Sequence, residues 1–322
     1  MRRGTLFLLV NMIDHVTYLL AAAVLRMMSF IPFHLGQRIG KILGFLAYLI
    51  PFGRKAVALD NIQQSCFGKD PNLPPSQLLR EVYSHFGQVV FEIPHILRLS
   101  KANLDHYLVV EGEEHLAGAL KKGRGAFVFS GHFGNWELLS AAVALRVGHT
   151  AVVVRPLDFA PMDRLVSDLR TRFGAEIIHH KKGMRRILAA AKQNKAIGIL
   201  LDQSVDWFQG AFVPFLGRPA CTNKGLALMA LKTGTPVVPA FSVRQKDGRY
   251  RVLVERELEL QRSGDKIRDI EDNTALFTRI IEKHILAHPD QWFWFHRRWK
   301  TKNYCVLPQS HPRQENHAGF RS

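Results

Sequence analysis

Short runs rich in β-branched residues alternate with helical stretches along most of this 322-residue chain. The predicted strands lie at residues 107–110, 126–130, 151–154, 176–178, 197–201, 237–241 and 250–254. Helical periodicity fills most of the gaps, at residues 136–146, 162–173, 184–193 and 224–232. Strands that alternate with helices usually pair in parallel and are covered on both faces. The pattern therefore predicts an α/β fold with a mostly parallel central sheet flanked by helices.

The N-terminal region, residues 5–52, has a different composition, dominated by Leu, Ile, Phe, Ala and Val. Asp14 and Arg26 interrupt it, and the uninterrupted apolar stretch Val16–Leu25 is shorter than the roughly 20 residues that a spanning helix needs. A second apolar run, residues 42–52, is also short. The favoured arrangement is one helix that spans or deeply enters a membrane, with the second run at its surface. Two interfacial helices, or an ordinary buried helical hairpin, are the alternatives.

Composition divides the chain into three parts: a membrane-anchoring region at 1–53, a body at 54–302 and a polar tail at 303–322. More basic residues follow the first apolar run than precede it: Arg38, Lys41, Arg54 and Lys55 against Arg2 and Arg3. If the run crosses a bilayer, this excess places the body on the cytoplasmic side.

The charge balance indicates an acidic partner, because 44 Lys and Arg residues oppose 27 Asp and Glu residues, a net charge of +17. Nucleic acid, anionic lipid head groups and an acidic carrier protein all fit such a charge. The three cysteines, Cys66, Cys221 and Cys305, are far apart and form no C-x-x-C pair. This spacing argues against a disulfide scaffold and a structural zinc site, and we predict no metal.

The clearest chemical signal follows the predicted strand at 126–130. His132 lies on a glycine-flanked turn, Asn135 is a predicted helix cap, and Glu137 falls in the first helical turn. Side chains five residues apart point roughly 140° apart on one helix, but they can meet at a strand–turn–helix corner. We predict that His132 is a general base whose ring donates a hydrogen bond to Glu137. The alternative is a purely structural pair, a capping glutamate and a hydrogen-bonded histidine, because this spacing is common by chance.

The residues available as a nucleophile also bear on the mechanism. The chain has no G-x-S-x-G turn, and no cysteine lies near His132. Direct transfer without a covalent acyl-enzyme is therefore favoured.

His132-x4-Glu137 with its glycine flanks resembles the signature of the lysophospholipid acyltransferase superfamily. More narrowly, the chain resembles the lipid A biosynthesis lauroyl/myristoyl acyltransferases of Gram-negative bacteria, from the apolar N-terminus to about Lys300. Four further blocks carry the resemblance: Arg54-Lys55 with Asn61-Ile62 and Phe67; Arg155-Pro156-Leu157-Asp158 with Asp163, Arg170, Arg172 and Gly174; Asp202-Gln203 with 210–217, Thr222 and Gly225; and 294–300. Glycerol-phosphate acyltransferases usually carry Pro-Glu-Gly-Thr where this chain has Asp202-Gln203, which favours the lipid A branch. Mycobacterial mannolipid acyltransferases remain close relatives.

The resemblance implies a glycerolipid acyltransferase-like fold and transfer of a fatty acyl chain from acyl carrier protein to a hydroxyl of a lipid A precursor. His132 would deprotonate that hydroxyl, and Glu137 would orient His132. The resemblance also implies that Arg170 or Arg172 binds phosphate or stabilises the oxyanion, and the choice between the two stays open.

Three further residues are predicted to bind substrate. Arg155 follows a strand, where parallel sheets place ligand-binding groups, and its guanidinium suits phosphate. Asp202 also follows a predicted strand, where an acid is either functional or a helix cap. Gln203 is predicted together with it.

The C-terminal signature interleaves Trp292, Trp294 and Trp299 with Arg297 and Arg298. Such a segment could stack on nucleic-acid bases. Beside an apolar N-terminus, a position at the bilayer interface or in a head-group pocket is favoured.

The predicted partners are acyl carrier protein, a lipid A precursor or related glycolipid, and anionic inner-membrane lipids, with no nucleic acid and no cofactor. The predicted location is the bacterial inner membrane, with the catalytic domain facing the cytoplasm. One alternative is the same chemistry on another glycolipid or a lysophospholipid. The other is a non-catalytic basic protein that binds membrane surfaces or nucleic acid.

Overall fold

The computed structural model describes residues 2–51, 53–181 and 183–302, with side chains described from residue 11 onward. The predicted polar tail at 303–322 lies outside the described residues. The N-terminal part is helical, and its four helices are α1 (Arg2–Met28), α2 (Phe33–Leu49), α3 (Gly53–Gln63) and α4 (Pro75–Glu92). Helix α2 packs along α4, and short 3₁₀ helices at Ile93–Arg98 and Leu104–His106 lead from α4 into the sheet.

A seven-stranded sheet forms the centre of the body. Its strands are β1 (Leu108–Glu111), β2 (Ala126–Ser130), β3 (Thr150–Val154), β4 (Glu176–His179), β5 (Ala196–Leu200), β8 (Val237–Arg244) and β9 (Tyr250–Val254). Their order is β1-β9-β8-β2-β5-β3-β4, and every neighbouring pair is parallel except β8 with β9. Each of the seven predicted strands corresponds to one of these. The predicted α/β fold with a mostly parallel sheet is confirmed.

Helices cover the sheet, and they are α5 (Glu113–Leu120), α6 (Trp136–Val147), α7 (Ala160–Thr171), α8 (Met184–Lys192), α9 (Gly225–Thr233) and α10 (Lys266–Ala287). Strand β2 lies at the centre, and all five of its residues are buried. A strand with both faces covered has no solvent side, which explains its continuous apolar run.

The pattern of strands and helices did not predict the hairpin of β6 (Gly210–Phe215) and β7 (Arg218–Asn223). Its turn is made by Leu216 and Gly217, both with positive φ, at 49° and 81°. The two strands contain prolines, Pro214 and Pro219, that are opposite each other. Proline is rare in central strands, so the segment lacks the usual composition of a strand.

Helix α2 buries mainly glycines and exposes its large apolar side chains. It buries Gly36, Gln37, Gly40 and Gly44 against the body. Its large apolar residues point outward instead: Leu35, Ile42, Leu43, Phe45, Leu46 and Leu49 are all exposed. Helix α1 likewise exposes Met12, Ile13, Val16, Leu19, Leu20, Val24 and Met27, while Tyr18 donates a hydrogen bond of 2.7 Å to Asp168 of α7. Together α1 and α2 expose more large apolar side chains than the surface of a monomeric protein in water usually carries.

Within the described residues, neither α1 nor α2 is long and apolar enough by itself to cross a bilayer. Asn11–Met28 and Phe33–Leu49 reach the required length and hydropathy only as a pair, and the pair is bent by 119°.

Candidate active site

The sheet register brings two of the predicted site residues together. Strands β2 and β5 are parallel neighbours, and Ser130 is aligned with Leu200. His132 and Asp202 each lie two residues beyond this aligned pair, so the two chains leave the sheet side by side. They emerge at the carboxyl ends of the strands, the edge at which open α/β sheets bind ligands.

The turn that carries His132 is held tightly against the body. Gly134 has φ +59°, and a Cβ at this position would collide with the carbonyl oxygen of Ser242. Only glycine combines this backbone angle with so close an approach. The Asn135 side chain then accepts a hydrogen bond of 3.0 Å from the Leu138 N–H, so the predicted cap of α6 is confirmed.

Asp202 binds His132 through both carboxylate oxygens. Its Oδ1 lies 2.8 Å from His132 Nδ1, and its Oδ2 accepts the His132 backbone N–H at 2.7 Å. Because an ionised carboxylate can only accept, Nδ1 carries the hydrogen of the neutral ring and Nε2 keeps a lone pair. Gln203 Nε2 lies 3.2 Å from this Nε2 and can donate to it. The geometry therefore presents His132 Nε2 as the basic atom of the site.

Asp202 remains ionised although its side chain is only 2% exposed, against 20% for His132. Burial raises the pKa of Asp202, but the nearby charge of His132 and hydrogen bonds from His132 and Trp292 lower it more, to about 2. The Trp292 indole N–H donates to Oδ2 at 2.7 Å. A buried, hydrogen-bonded carboxylate of this kind orients a histidine and stabilises its charged form.

The His132 ring does not donate a hydrogen bond to Glu137 as predicted, because its two nitrogens face Asp202 and Gln203, and that part of the prediction is wrong. The Glu137 carboxylate accepts from the guanidinium of Arg170, with 2.9 Å between Arg170 Nε and Glu137 Oε2, and from the Trp136 indole at 3.0 Å. The reason is that Glu137 sits on α6, where its side chain faces α7, whereas Asp202 follows the strand beside His132. The Trp136 ring lies 5.1 Å from the His132 ring, so Glu137 approaches His132 through this tryptophan.

The other predicted arginines are placed differently. Arg170 belongs to the Glu137 pair, whereas Arg172 is exposed and donates to the Leu97 carbonyl at 2.6 Å. Arg155 follows β3 at the same edge of the sheet, but its side chain is exposed and its ion-pair partner is Asp158, 3.6 Å away. The structure thus brings together His132, Asp202 and Gln203 as one group and Glu137 with Arg170 as a second.

An apolar pocket lies beside these two groups, between α6 and strands β2, β3 and β5. It is partly open to solvent. Aliphatic side chains form most of its lining, and Trp136, Glu137 and Arg170 also line it. Because Trp136 lines the pocket and its ring packs edge-on against the His132 ring, the pocket lies near this histidine. An apolar pocket with a few polar groups at one place suits a ligand with a hydrocarbon part.

Comparison with known families identifies the chain. The sequence model of the bacterial lipid A biosynthesis acyltransferase family matches residues 9–301. The chain belongs to this family. It is therefore an acyltransferase, and the resemblance predicted from the sequence motifs is confirmed.

Similar curated members have low identity but match over most of their length. A lipid A biosynthesis acyltransferase of Haemophilus influenzae is 27% identical over 88% of this chain and 90% of its own. The lipid A biosynthesis palmitoleoyltransferase of Escherichia coli is 26% identical over 83% of this chain and 84% of its own. A phosphatidylinositol mannoside acyltransferase of Mycobacterium tuberculosis is 26% identical over 72% and 73%.

Part of the C-terminal signature of this acyltransferase lies in the core rather than at the predicted membrane interface. Trp292, Trp294 and Arg298 are fully buried. Asn61 of α3 holds the segment by donating to the carbonyls of Trp294 and His296, at 2.7 and 2.6 Å. Trp292 was missed as a site residue, because its contact with Asp202 joins positions 90 residues apart. The only sequence signal was its place beside the C-terminal signature.

Proposed function

We propose that this acyltransferase transfers a fatty acyl chain from the thioester of acyl carrier protein to a hydroxyl group of a lipid A precursor. The observation that carries the proposal is the buried Asp202, which engages His132 Nδ1 and so leaves Nε2 as the atom that can accept a proton, near an apolar pocket. The names of the Haemophilus influenzae and Escherichia coli relatives support lipid A chemistry.

In the proposed reaction, the acceptor hydroxyl replaces the Gln203 amide at His132 Nε2. His132 takes the hydroxyl proton as the oxygen attacks the thioester carbonyl carbon. Asp202 stabilises the imidazolium that forms. The tetrahedral intermediate then collapses, the carbon–sulfur bond breaks, and the sulfur leaves with the proton held by His132. The products are an ester and a free thiol, and no covalent acyl-enzyme forms.

The apolar pocket is the proposed site of the acyl chain. The Glu137–Arg170 pair lines it and holds the Trp136 indole against the His132 ring. We assign Glu137 and Arg170 to the support of this wall, with Arg170 neutralising the carboxylate. An apolar wall beside the base keeps water from the thioester, so that the acceptor hydroxyl reacts instead.

Unpaired basic side chains support acidic partners for the enzyme. Arg54, Arg218, Arg297 and Lys300 line two adjoining grooves between α3 and the C-terminal segment. Within the described part of the chain, none of these four lies within ion-pair distance of a carboxylate, although Asp60 lines one of the grooves. Anionic inner-membrane lipids and acyl carrier protein are the partners we propose for this surface.

The outward-facing leucines of α2, and the apolar face of α1, support attachment to the inner membrane, with the catalytic domain facing the cytoplasm.

We expect Leu46→Asp to weaken binding to phosphatidylglycerol vesicles by about tenfold, because a side chain of this size contributes about 1.5–3 kcal/mol when it leaves water. Leu46 is 48% exposed. Vesicle cosedimentation measures the affinity.

Ile267→Asp is the matched control for this change. Ile267 is 72% exposed but lies in the first turn of α10, away from α1 and α2. It should bind vesicles like the unchanged protein. Equal loss in both variants, or loss in neither, would contradict the assignment of α2 to the bilayer.

The proposed function can be tested in a Gram-negative host that lacks its own late acyltransferases, by measuring the mass of its lipid A. Expression of this protein should add the mass of one acyl chain to lipid A, and an empty vector should add nothing. Mass spectrometry then gives the acceptor class and the chain length together. An unchanged lipid A despite good expression in the membrane fraction would contradict the proposal. A mannolipid, as the name of the Mycobacterium tuberculosis relative indicates, would be the next acceptor to test.

A further inference from the structure

Glu92, the last residue of α4, is a buried carboxylate that the proposed chemistry does not use. Its side chain is 0% exposed. A buried charge is costly unless it is paired and hydrogen-bonded on all sides, so its partners indicate what it holds in place.

Four residues from four separate parts of the fold donate to this carboxylate. Gln37 of α2 donates to Oε1 at 2.8 Å, and the Tyr250 hydroxyl of β9 donates to Oε2 at 2.8 Å. The guanidinium of Arg244, in β8, forms an ion pair with Oε1. Asn135, which lies between His132 and Glu137, donates its Nδ2–H to Oε2 at 3.0 Å.

The bond to Asn135 has a consequence for the catalytic turn. An amide side chain has a donor end and an acceptor end, and Glu92 can accept only. Glu92 therefore selects the orientation in which Asn135 Nδ2 faces the core and Oδ1 accepts the Leu138 N–H that starts α6. A second residue of α4, His85, lies 3.4 Å from the Gly134 carbonyl through Nε2. The segment between His132 and Glu137 thus rests on α4.

We propose that Glu92 is a positioning residue for acyl transfer. It acts through Asn135 to hold the His132–Glu137 turn in place, so that His132 stays beside Asp202. The inference rests on the proposed function of that site. Glu92 touches neither substrate nor the reacting atoms. Through Gln37 the same carboxylate also ties the turn to α2, the helix with the outward-facing leucines.

The test compares two variants that each disturb the Glu92 cluster. Glu92→Gln places an amide N–H₂ among donors and breaks the selection of the Asn135 orientation. Tyr250→Phe removes one hydrogen bond to Glu92 on the side of β9 and leaves the Asn135 bond intact. Both should lower the melting temperature. Only Glu92→Gln should lower kcat, by about tenfold to hundredfold, with KM for donor and acceptor little changed, because a small misplacement of reacting groups has that effect.

A reciprocal exchange keeps the test decisive if Glu92→Gln folds poorly. Asn135→Asp retains an oxygen for Leu138 but sets two carboxylates against each other. The double variant Glu92→Gln with Asn135→Asp restores a donor–acceptor pair with its direction reversed. Its kcat should recover above that of both single variants. A kcat unchanged in Glu92→Gln, an equal loss in Tyr250→Phe, or no recovery in the double variant would each overturn the inference.

Hydrogen exchange separates this inference from the proposed function. The backbone amides of residues 131–138 should exchange faster in Glu92→Gln than in Tyr250→Phe, whatever the acceptor is. An unchanged protein that fails to acylate lipid A would count against the proposed function alone. An active protein whose 131–138 amides respond alike to both variants would count against the positioning role alone.

Discussion

Replacement of His132 by alanine is expected to reduce acyl transfer by about 10²- to 10⁴-fold, the usual contribution of a positioned general base. In the unchanged protein, Nδ1 is engaged by Asp202, and Nε2 is the atom available for the hydroxyl proton. Alanine offers no proton acceptor there. The measurement is the rate of acyl transfer from acyl carrier protein to a lipid A precursor, together with the mass of lipid A from cells.

His180→Ala serves as the control for His132→Ala. His180 is an exposed histidine after β4. Its replacement should leave the rate unchanged at equal amounts of membrane-located protein. If His132→Ala still adds an acyl chain to lipid A at the normal rate, another group is the base and the mechanism proposed above is wrong.

The second large effect is expected for Asp202→Asn, with a loss in kcat of about 10⁴-fold by analogy with the loss of the aspartate from a Ser-His-Asp triad. Asparagine has nearly the same shape, but its N–H₂ end meets donors from His132 and Trp292. The variant therefore favours the other ring tautomer, in which Nε2 carries the hydrogen and cannot accept a proton. The exposed Asp206, four residues on, gives the control variant Asp206→Asn, which should retain full activity.

Asp202→Asn is also expected to change how the stability of the fold depends on pH in acid. The folded pKa of Asp202, about 2, lies below the ordinary aspartate value of 3.8. A group with a lowered folded pKa stabilises the fold above its unfolded pKa, and this contribution is lost as pH falls through the folded pKa. The lowering corresponds to about 2 kcal/mol. The free energy of unfolding, measured with denaturant between about pH 5 and pH 2, should fall more steeply for the unchanged protein than for Asp202→Asn. An equal fall with pH in the two proteins would contradict the prediction.

The sequence predicted the parts of the site that depend on local pattern. β-Branched runs located every strand of the central sheet, and the glycine-flanked turn with Asn135 as cap located His132 at the end of β2. The position of Asp202 after β5 follows from the same pattern. These features depend on neighbouring residues, which a single sequence displays.

The partner of His132 could not be predicted in this way. The spacing to Glu137 indicated a local pair, but the hydrogen bond depends on the register of β2 with β5, which aligns Ser130 with Leu200. Register is a long-range property, and two strands 70 residues apart in sequence do not reveal it. The burial of Trp292 was missed for a related reason. An indole N–H satisfied by a distant carboxylate lies in the core, whereas tryptophans among arginines suggest an interface.

The glycines of α2 have a consequence for how the enzyme can be handled. Added Cβ atoms on Gly40 and Gly44 would collide with backbone carbonyls of Gly87 and Tyr83 in α4, so the two helices touch backbone to backbone. A shortened chain that began at residue 54 would keep every residue proposed for chemistry. It would also uncover this closely fitted face of α4 and remove Gln37 from Glu92. Removal of α1 and α2 would therefore expose interior surface to water and lead to aggregation, so purification in detergent with an intact N-terminus is the sound route.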